Sequence, residues 1–255
     1  MRFGTLLVVF TALAVGLALY FNAVRVQRRA VARIRALGGT VQYDHERAGA
    51  ARPPAAGEVR EWIRGVLGTD AFHRVVRVRL DHTAVTDDDL CLIGQLIGVE
   101  ELHLNGTAIS DAGLRELRSC RRLRYLGLAH SRVTAAGLQC LRDMRRLDTL
   151  LLEGTPVADL THLDALPALQ MLSLGSTPLT SAGIRSLQGQ SSLRYLYLRN
   201  TPVDDTAIAT LASLENLEEL NVNGTLLSGV GLVALIDHLP RCDIQADAVR
   251  LTSVP

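Results

Sequence analysis

"VEELHLNGTAISDAGLRELRSC", Val99 to Cys120, places two hydroxyls (Thr107 and Ser110), a carboxylate (Asp111) and two glycines (Gly106 and Gly113) within eight residues. Alone it reads as a loop with chemistry in it. What decides otherwise is the stretch 24 residues later, "LRYLGLAHSRVTAAGLQCLRDM" from Leu123, which repeats it position by position. Blocks of this kind begin at Val75, Val99, Leu123, Leu147, Leu169, Leu193 and Leu217, all 24 apart except for one step of 22 after Leu147. A fixed period sustained over seven copies is the signature of a solenoid, in which no unit buries its apolar stripe alone.

Within each block the apolar-x-apolar start, such as Leu102 and Leu104, alternates as a short strand with one face inward. Three columns on from the hydroxyls Thr83, Thr107, Ser131, Thr155, Thr177, Thr201 and Thr225 stand Thr86, Ser110, Thr134, Ala158, Thr180, Asp204 and Ser228. Six of those seven are good helix N-caps, and Leu114 with Leu117 or Leu138 with Leu141 supplies the i, i+3 face of a helix. Each block is therefore strand, turn, cap and short helix.

The recurring "L..L.L..T.ITDAGL..L" pattern resembles the leucine-rich repeat family. It is similar to the repeats of F-box adaptors and of membrane-anchored planctomycete-type proteins. The resemblance covers residues 75 to about 245 and implies an α/β solenoid: a curved parallel sheet on the concave side and helices outside. The block from Leu147 departs from the pattern, replacing "DAGL" with "VADLTHLDAL", so its outer segment is expected to be tighter or irregular. The Thr107 column reads as an internal ladder satisfying turn backbone groups that stacking removes from water. Ser110 reads as a cap, and Gly113 as a residue small enough for close helix packing.

Working outward, residues 1–24 form a transmembrane anchor. Phe3 to Phe21 carries no charge, and 19 helical residues at about 1.5 Å each span roughly the hydrocarbon layer. A cleaved signal peptide is the rival, with "ALA" at Ala12–Ala14 or "GLA" at Gly16–Ala18 as cleavage sites. Arg25, Arg28, Arg29, Arg33 and Arg35 follow the apolar run against Arg2 before it, which favours an uncleaved anchor with the repeats on the cytoplasmic side. Residues 25–74 are a juxtamembrane segment and N-terminal cap: an amphipathic helix ended by Gly38 and Gly39, a strand at "TVQYDHE", a loop at "RAGAARPPAAG", and a helix whose Trp62, Ile63 and Val66 cover the first repeat. A loose linker is the alternative there. The repeats and a closing strand fill 75–246, and 247–255 form a tail.

The charge pattern is lopsided: residues 1–146 hold 22 Arg against 14 acidic residues, and 147–255 hold 5 against 12. No lysine occurs. Cys91, Cys120, Cys140 and Cys242 form no CxxC, which points to free thiols and to neither a zinc site nor a disulfide framework. His82 and His130 share a column but lie two repeats, or about 10 Å, apart. His103 beside Glu101 has no nucleophile or oxyanion donor. No cofactor, metal or catalytic residue is expected.

Positions 101, 103 and 105 and their equivalents face the concave side. Down the stack, Tyr125, Leu151, Met171, Tyr195 and Tyr197 place aromatic and apolar area in the middle, with charged residues before and after, including Glu101 and His103. An apolar centre in a polar rim suits a protein or peptide partner. The plainer reading is that tyrosines favour strand surfaces. Arg118 and Arg122 recur as Arg142 and Arg146. This band is either a solvated outer face or, with Arg28 and Arg29, a contact for an anionic leaflet or partner. Nucleic acid is not expected, since no aromatic residues interleave with the band. The pattern points to a membrane-anchored interaction scaffold, the alternatives being a purely structural envelope protein or a hydrolase with a site on the concave face.

Overall fold

The computed structural model describes residues 3–46 and 73–247. The loop expected from Arg47, the helix expected around Trp62, Ile63 and Val66, and all but the first residue of the expected tail lie outside them.

Nine strands form one sheet in chain order: β1 (Thr40–Tyr43), β2 (Val75–Arg79), β3 (Glu101–His103), β4 (Tyr125–Gly127), β5 (Thr149–Leu151), β6 (Met171–Ser173), β7 (Tyr195–Tyr197), β8 (Glu219–Asn221) and β9 (Asp243–Gln245). β1 runs antiparallel to β2, and every later pair is parallel. Leu102 pairs with Leu126, Leu126 with Leu150, and Leu150 with Leu172. The two residues missing from the fourth block thus fall beyond its strand and leave the register intact. A one-residue slip would have turned every leucine outward.

The leucine columns are the core. Leu102, Leu104, Ile109, Leu114 and Leu117 are fully buried, and so are their counterparts Leu126, Leu128, Val133, Leu138 and Leu141. At roughly 1.5–3 kcal/mol per buried side chain, these five positions dominate what each repeat gains by stacking.

The outer side carries α2 (Asp87–Ile93), α3 (Asp111–Glu116), α4 (Ala135–Leu138), α5 (Ile208–Ala212) and α6 (Gly229–His238). The blocks from Leu147 and Leu169 have 3-10 turns in place of an α-helix, Leu163–Ala165 and Gly183–Leu187. The first of these is the irregular block, as its lost "DAGL" implies. The second was not foreseen: Thr180 is not a side-chain cap, because the turn there starts from Ala182.

The conserved-looking turn residues have separate tasks. The position before the hydroxyl column lies in the left-handed region throughout: His82, Gly106, His130, Gly154, Ser176, Asn200 and Gly224 have φ between 55° and 69°. Gly106 and its equivalents serve that backbone shape, and no ligand is needed to explain them. Six hydroxyls of the Thr column donate to a carbonyl three residues back in the same repeat, as Thr107 does to Leu104 at 2.6 Å. The column thus satisfies turn backbone groups, as the sequence implies, within each repeat, and the side-chain link between repeats is a separate one. It lies at the helix starts, where the Asp87 carboxylate accepts from the Ser110 N–H at 2.9 Å and hydroxyl at 2.5 Å. Asp111 does the same for Thr134, and Asp205 for Ser228. At Ser181 and Asp204 the two residue types exchange places, and the hydroxyl still donates to the carboxylate at 2.7 Å.

At the N-terminal end a single helix, α1 (Phe3–Ala36), carries both the apolar and the arginine-rich segments. Val8, Phe10, Leu13 and Leu19 are each more than 60% exposed, whereas Ala30, Val31 and Ile34 are buried with Tyr43 of β1 against the first repeat. α1 ends at Gly38, whose φ of 81° lets Gly39 N–H bond the Ile34 carbonyl and Gly38 N–H the Arg35 carbonyl. Arg33 donates to the buried Asp89 at 2.6 Å, tying α1 to α2. At the other end β9 adds to β8 with no helix after it among the described residues.

Candidate functional site

The open face of the sheet is built by two columns of side chains in strict register. One runs Arg77, Glu101, Tyr125, Thr149, Met171, Tyr195, Glu219 and Asp243; the other runs Arg79, His103, Gly127, Leu151, Ser173, Tyr197, Asn221 and Gln245. The seven expected residues thus share one face, with Tyr125, Leu151, Met171, Tyr195 and Tyr197 on four successive strands. From β4 to β7 that is three strand spacings, or about 14 Å. Thr149, Leu151, Met171 and Ser173 lie between the tyrosines and bring no charge.

Glu101 and His103 edge this saddle on the N-terminal side. Arg77 pairs with Glu101 and also donates to Gln42 Oε1 of β1 at 2.8 Å. The His103 ring stacks on Tyr125, with centroids 4.3 Å apart and planes 30° apart. Its Nδ1 is 3.9 Å from Asp81 and its Nε2 is 4.0 Å from Glu101. Burial lowers the His103 pKa below the usual histidine value, with Asp81 and Glu101 opposing and Arg79 and Arg77 assisting. Burial raises that of Tyr125. Asp81 is spent on scaffolding, accepting from the Asn105 N–H and side-chain amide, and Asn105 in turn accepts from the Ala129 N–H.

On the C-terminal side the tyrosines are not free. Tyr195 donates its hydroxyl to Glu218 at 2.8 Å, and Tyr197 donates to Glu219 at 3.1 Å. Glu218 also pairs with Arg194, and Glu219 accepts from Gln245. Arg199 pairs with Glu153 two repeats away, its stem crossing Gly175, where a Cβ would sit 2.8 Å from Arg199 Cγ. Both rings are thus tethered by their own hydroxyls to carboxylates of the next repeat. The sequence reading found the tyrosines but missed these partners, because Glu218 lies outside the two face columns.

Among described residues, Arg115, Arg118, Arg142 and Arg145 line an open basin of about 690 Å³ on the outer side, with Gln139, Cys140, Asp143, Asp164, Ala165 and Pro167. The basin lies where the outer helices stop and the shortened block begins. Arg118 and Arg142 of the expected band meet there; Arg122 and Arg146 are exposed outside it. Arg28 and Arg29 lie on α1 beside Phe21, Val24 and Arg25, in a separate recess. Burial raises the Cys140 thiol pKa.

One exposed feature went unread in the sequence. Leu226, Val230, Val233 and Ile236 of the last repeat are 49–68% exposed. Its signal was available, since "GVGLVALIDH" is apolar on both sides of the helix.

A leucine-rich repeat model matches residues 99–117. Internalin C2 of Listeria monocytogenes is similar in structure, with a TM-score of 0.55 and 25% identity over 71% of this chain and 77% of that one. An internalin (inlF) of the same organism gives a TM-score of 0.57 at 22% identity, over 74% of this chain and 55% of that one. No curated protein matches the sequence.

Proposed function

We propose that this leucine-rich repeat protein is held at a membrane by α1 and binds a protein or peptide partner on the open face of its sheet, as a scaffold or recognition module. The leucine-rich repeat fold is that of a protein-interaction module. The reading of this face rests on one observation: two register-locked columns that carry no charge between Tyr125 and Tyr195, bordered past the strand ends by the Arg199–Glu153 pair, with Arg77, Glu101 and His103 on one side and Glu218, Glu219 and Asp243 on the other. Aromatic rings tethered by their hydroxyls lose little freedom on binding, and the charged ends fix orientation.

Membrane anchoring is supported by α1, which is long and apolar enough to cross a bilayer; a signal sequence passes the same test. Arg25, Arg28, Arg29, Arg33 and Arg35 follow that stretch, a flanking charge pattern that supports a cytoplasmic side for the repeats. The four arginines of the outer basin, none in an ion pair among the described residues, suit anionic headgroups or an anionic partner.

The test is crosslinking of the full chain in its native membrane, compared with a chain carrying Tyr125→Ala, Tyr195→Ala and Tyr197→Ala. Neighbours captured by the first and lost by the second support the reading; an unchanged set defeats it. Protease treatment of sealed cells reads the orientation, and digestion of the repeats from outside contradicts a cytoplasmic placement.

A further inference from the structure

Away from the open face, the antiparallel pair of β1 and β2 brings together Asp44, His45 and His73. Asp44 and His45 follow β1 directly, and His73 stands two residues before β2. The pairing of Tyr43 with Val75, and the bond from Asp44 N–H to the Arg74 carbonyl at 3.0 Å, hold these ends side by side. One ligand atom from each of the three residues lies within 4.8 Å of the others.

Asp44 Oδ1 is 3.2 Å from His73 Nδ1 and 3.9 Å from His45 Nδ1. Two donors bound at about 2.0–2.1 Å in a tetrahedral zinc site are separated by about 3.3 Å. The His73 distance already matches, and His45 needs a small turn of its ring. The two imidazoles are stacked, with centroids 3.7 Å apart, so this turn would open the stack. His45 Nδ1 is buried and has no hydrogen-bond partner, which a neutral stacked pair does not explain and a missing ligand does. The carboxylate divides its oxygens: Oδ1 faces both imidazoles, and Oδ2 lies 3.8 Å from Arg74 Nε. Arg74 is 60% exposed and can swing away from a dication.

We propose that Asp44, His45 and His73 bind one divalent first-row transition ion, with zinc the best match to two imidazoles and a carboxylate. Sheet pairing preorganises the three donors, which lowers the ordering cost of binding. The ion would clip Asp44 and His45, which follow β1, to His73, which precedes β2. Three protein ligands leave a fourth position for water. The site differs from the expectation of no metal because its ligands are 28 residues apart, a spacing that no local motif reveals. It is independent of the proposed partner face.

The test uses the full chain, purified in detergent without a histidine tag, stripped with EDTA and dialysed against zinc. One equivalent is expected. Cobalt substitution should give the visible bands of a tetrahedral N,O site. His45→Ala, His73→Ala and Asp44→Asn should each weaken zinc binding roughly tenfold or more, while His82→Ala with His130→Ala should leave it unchanged. Zinc at 100 times its Kd should raise the melting temperature of the unaltered chain by about 5–10 °C, a readout that does not depend on any variant folding. Failure of the unaltered chain to take up one zinc, or zinc retained when both His45 and His73 are Ala, overturns the proposal.

Discussion

The Asp111 carboxylate fills the space that a side chain on Gly137 would need: a Cβ built there lies 2.3 Å from Asp111 Oδ1. The same carboxylate accepts from the N–H and hydroxyl of Thr134. The aspartate of one repeat, the cap and the glycine of the next therefore form one joint. Gly137→Ala should destabilise the protein by about 1–3 kcal/mol through overpacking, and Asp111→Ala by a similar amount through two lost hydrogen bonds. The double variant should cost less than the sum, because removing the carboxylate clears room for the methyl group. Urea titration of the four chains checks this, and strict additivity would show that the two residues are not coupled.

That joint shows how far a sequence can be read. The period, the strand faces, the leucine core and the face carrying Tyr125 and Tyr195 follow from spacing, because side-chain direction in a strand alternates whatever the surroundings. Asp111 directly follows the Ser110 cap, yet its partner Thr134 is 23 residues on, and nothing local says whether it points to its own cap or to the next one. The exchange of Ser181 and Asp204 was visible in the sequence and is the one clue to that pairing. The bonds from Tyr195 to Glu218 and from Arg199 to Glu153 depend on side-chain reach across strands, which periodicity does not encode.

Asp89 links the N-terminal helix to the first repeat. Its pKa lies below the usual aspartate range, chiefly because Arg33 donates to it, with Thr86 contributing and burial opposing. A carboxylate of depressed pKa stabilises the fold above its unfolded pKa of about 3.9 and loses that contribution as pH falls through the folded value. Arg33→Gln should lower the urea midpoint at neutral pH, and the gap from the unaltered chain should close as acid protonates Asp89. A gap that persists at the lowest pH would mean that Arg33 acts by packing alone.

His103 should show the same sign of pH dependence in a higher pH window. Burial against Tyr125 lowers its pKa, so the unfolded chain takes up the proton first. Its neutral form supports the fold above about pH 6.5, and that support declines as pH falls from there through the lowered folded value. Histidine NMR signals across a titration should place His103 below the ordinary value, and Tyr125→Ala, by exposing the ring, should bring it closer to that value. A His103 titration unchanged by Tyr125→Ala would assign the shift to another neighbour.

Cys140 offers a direct probe of the arginine basin, which it lines with Arg118 and Arg142. If the basin meets anionic headgroups, alkylation of Cys140 in nanodiscs containing phosphatidylglycerol should be several-fold slower than in zwitterionic discs, with exposed Cys91 as the internal reference. Each arginine near the surface contributes about 1 kcal/mol to such a contact, so Arg118→Gln with Arg142→Gln should abolish most of the difference. Equal rates in the two kinds of disc would place the basin away from the bilayer.

The two tyrosines of β7 separate ring from hydroxyl. Tyr195→Phe and Tyr197→Phe keep the apolar area but release Glu218 and Glu219, whereas the alanine changes remove both. If affinity arises from the rings themselves, phenylalanine should retain most partner binding and lose only the part due to free motion of the ring, about 0.5–1.5 kcal/mol for an immobilised side chain. Alanine at either position should cost about 2 kcal/mol or more, as truncation of a central aromatic anchor does. Partner titration against each single variant reads the difference. Equal losses from phenylalanine and alanine would shift the recognition from the rings to the carboxylates that the hydroxyls hold in place.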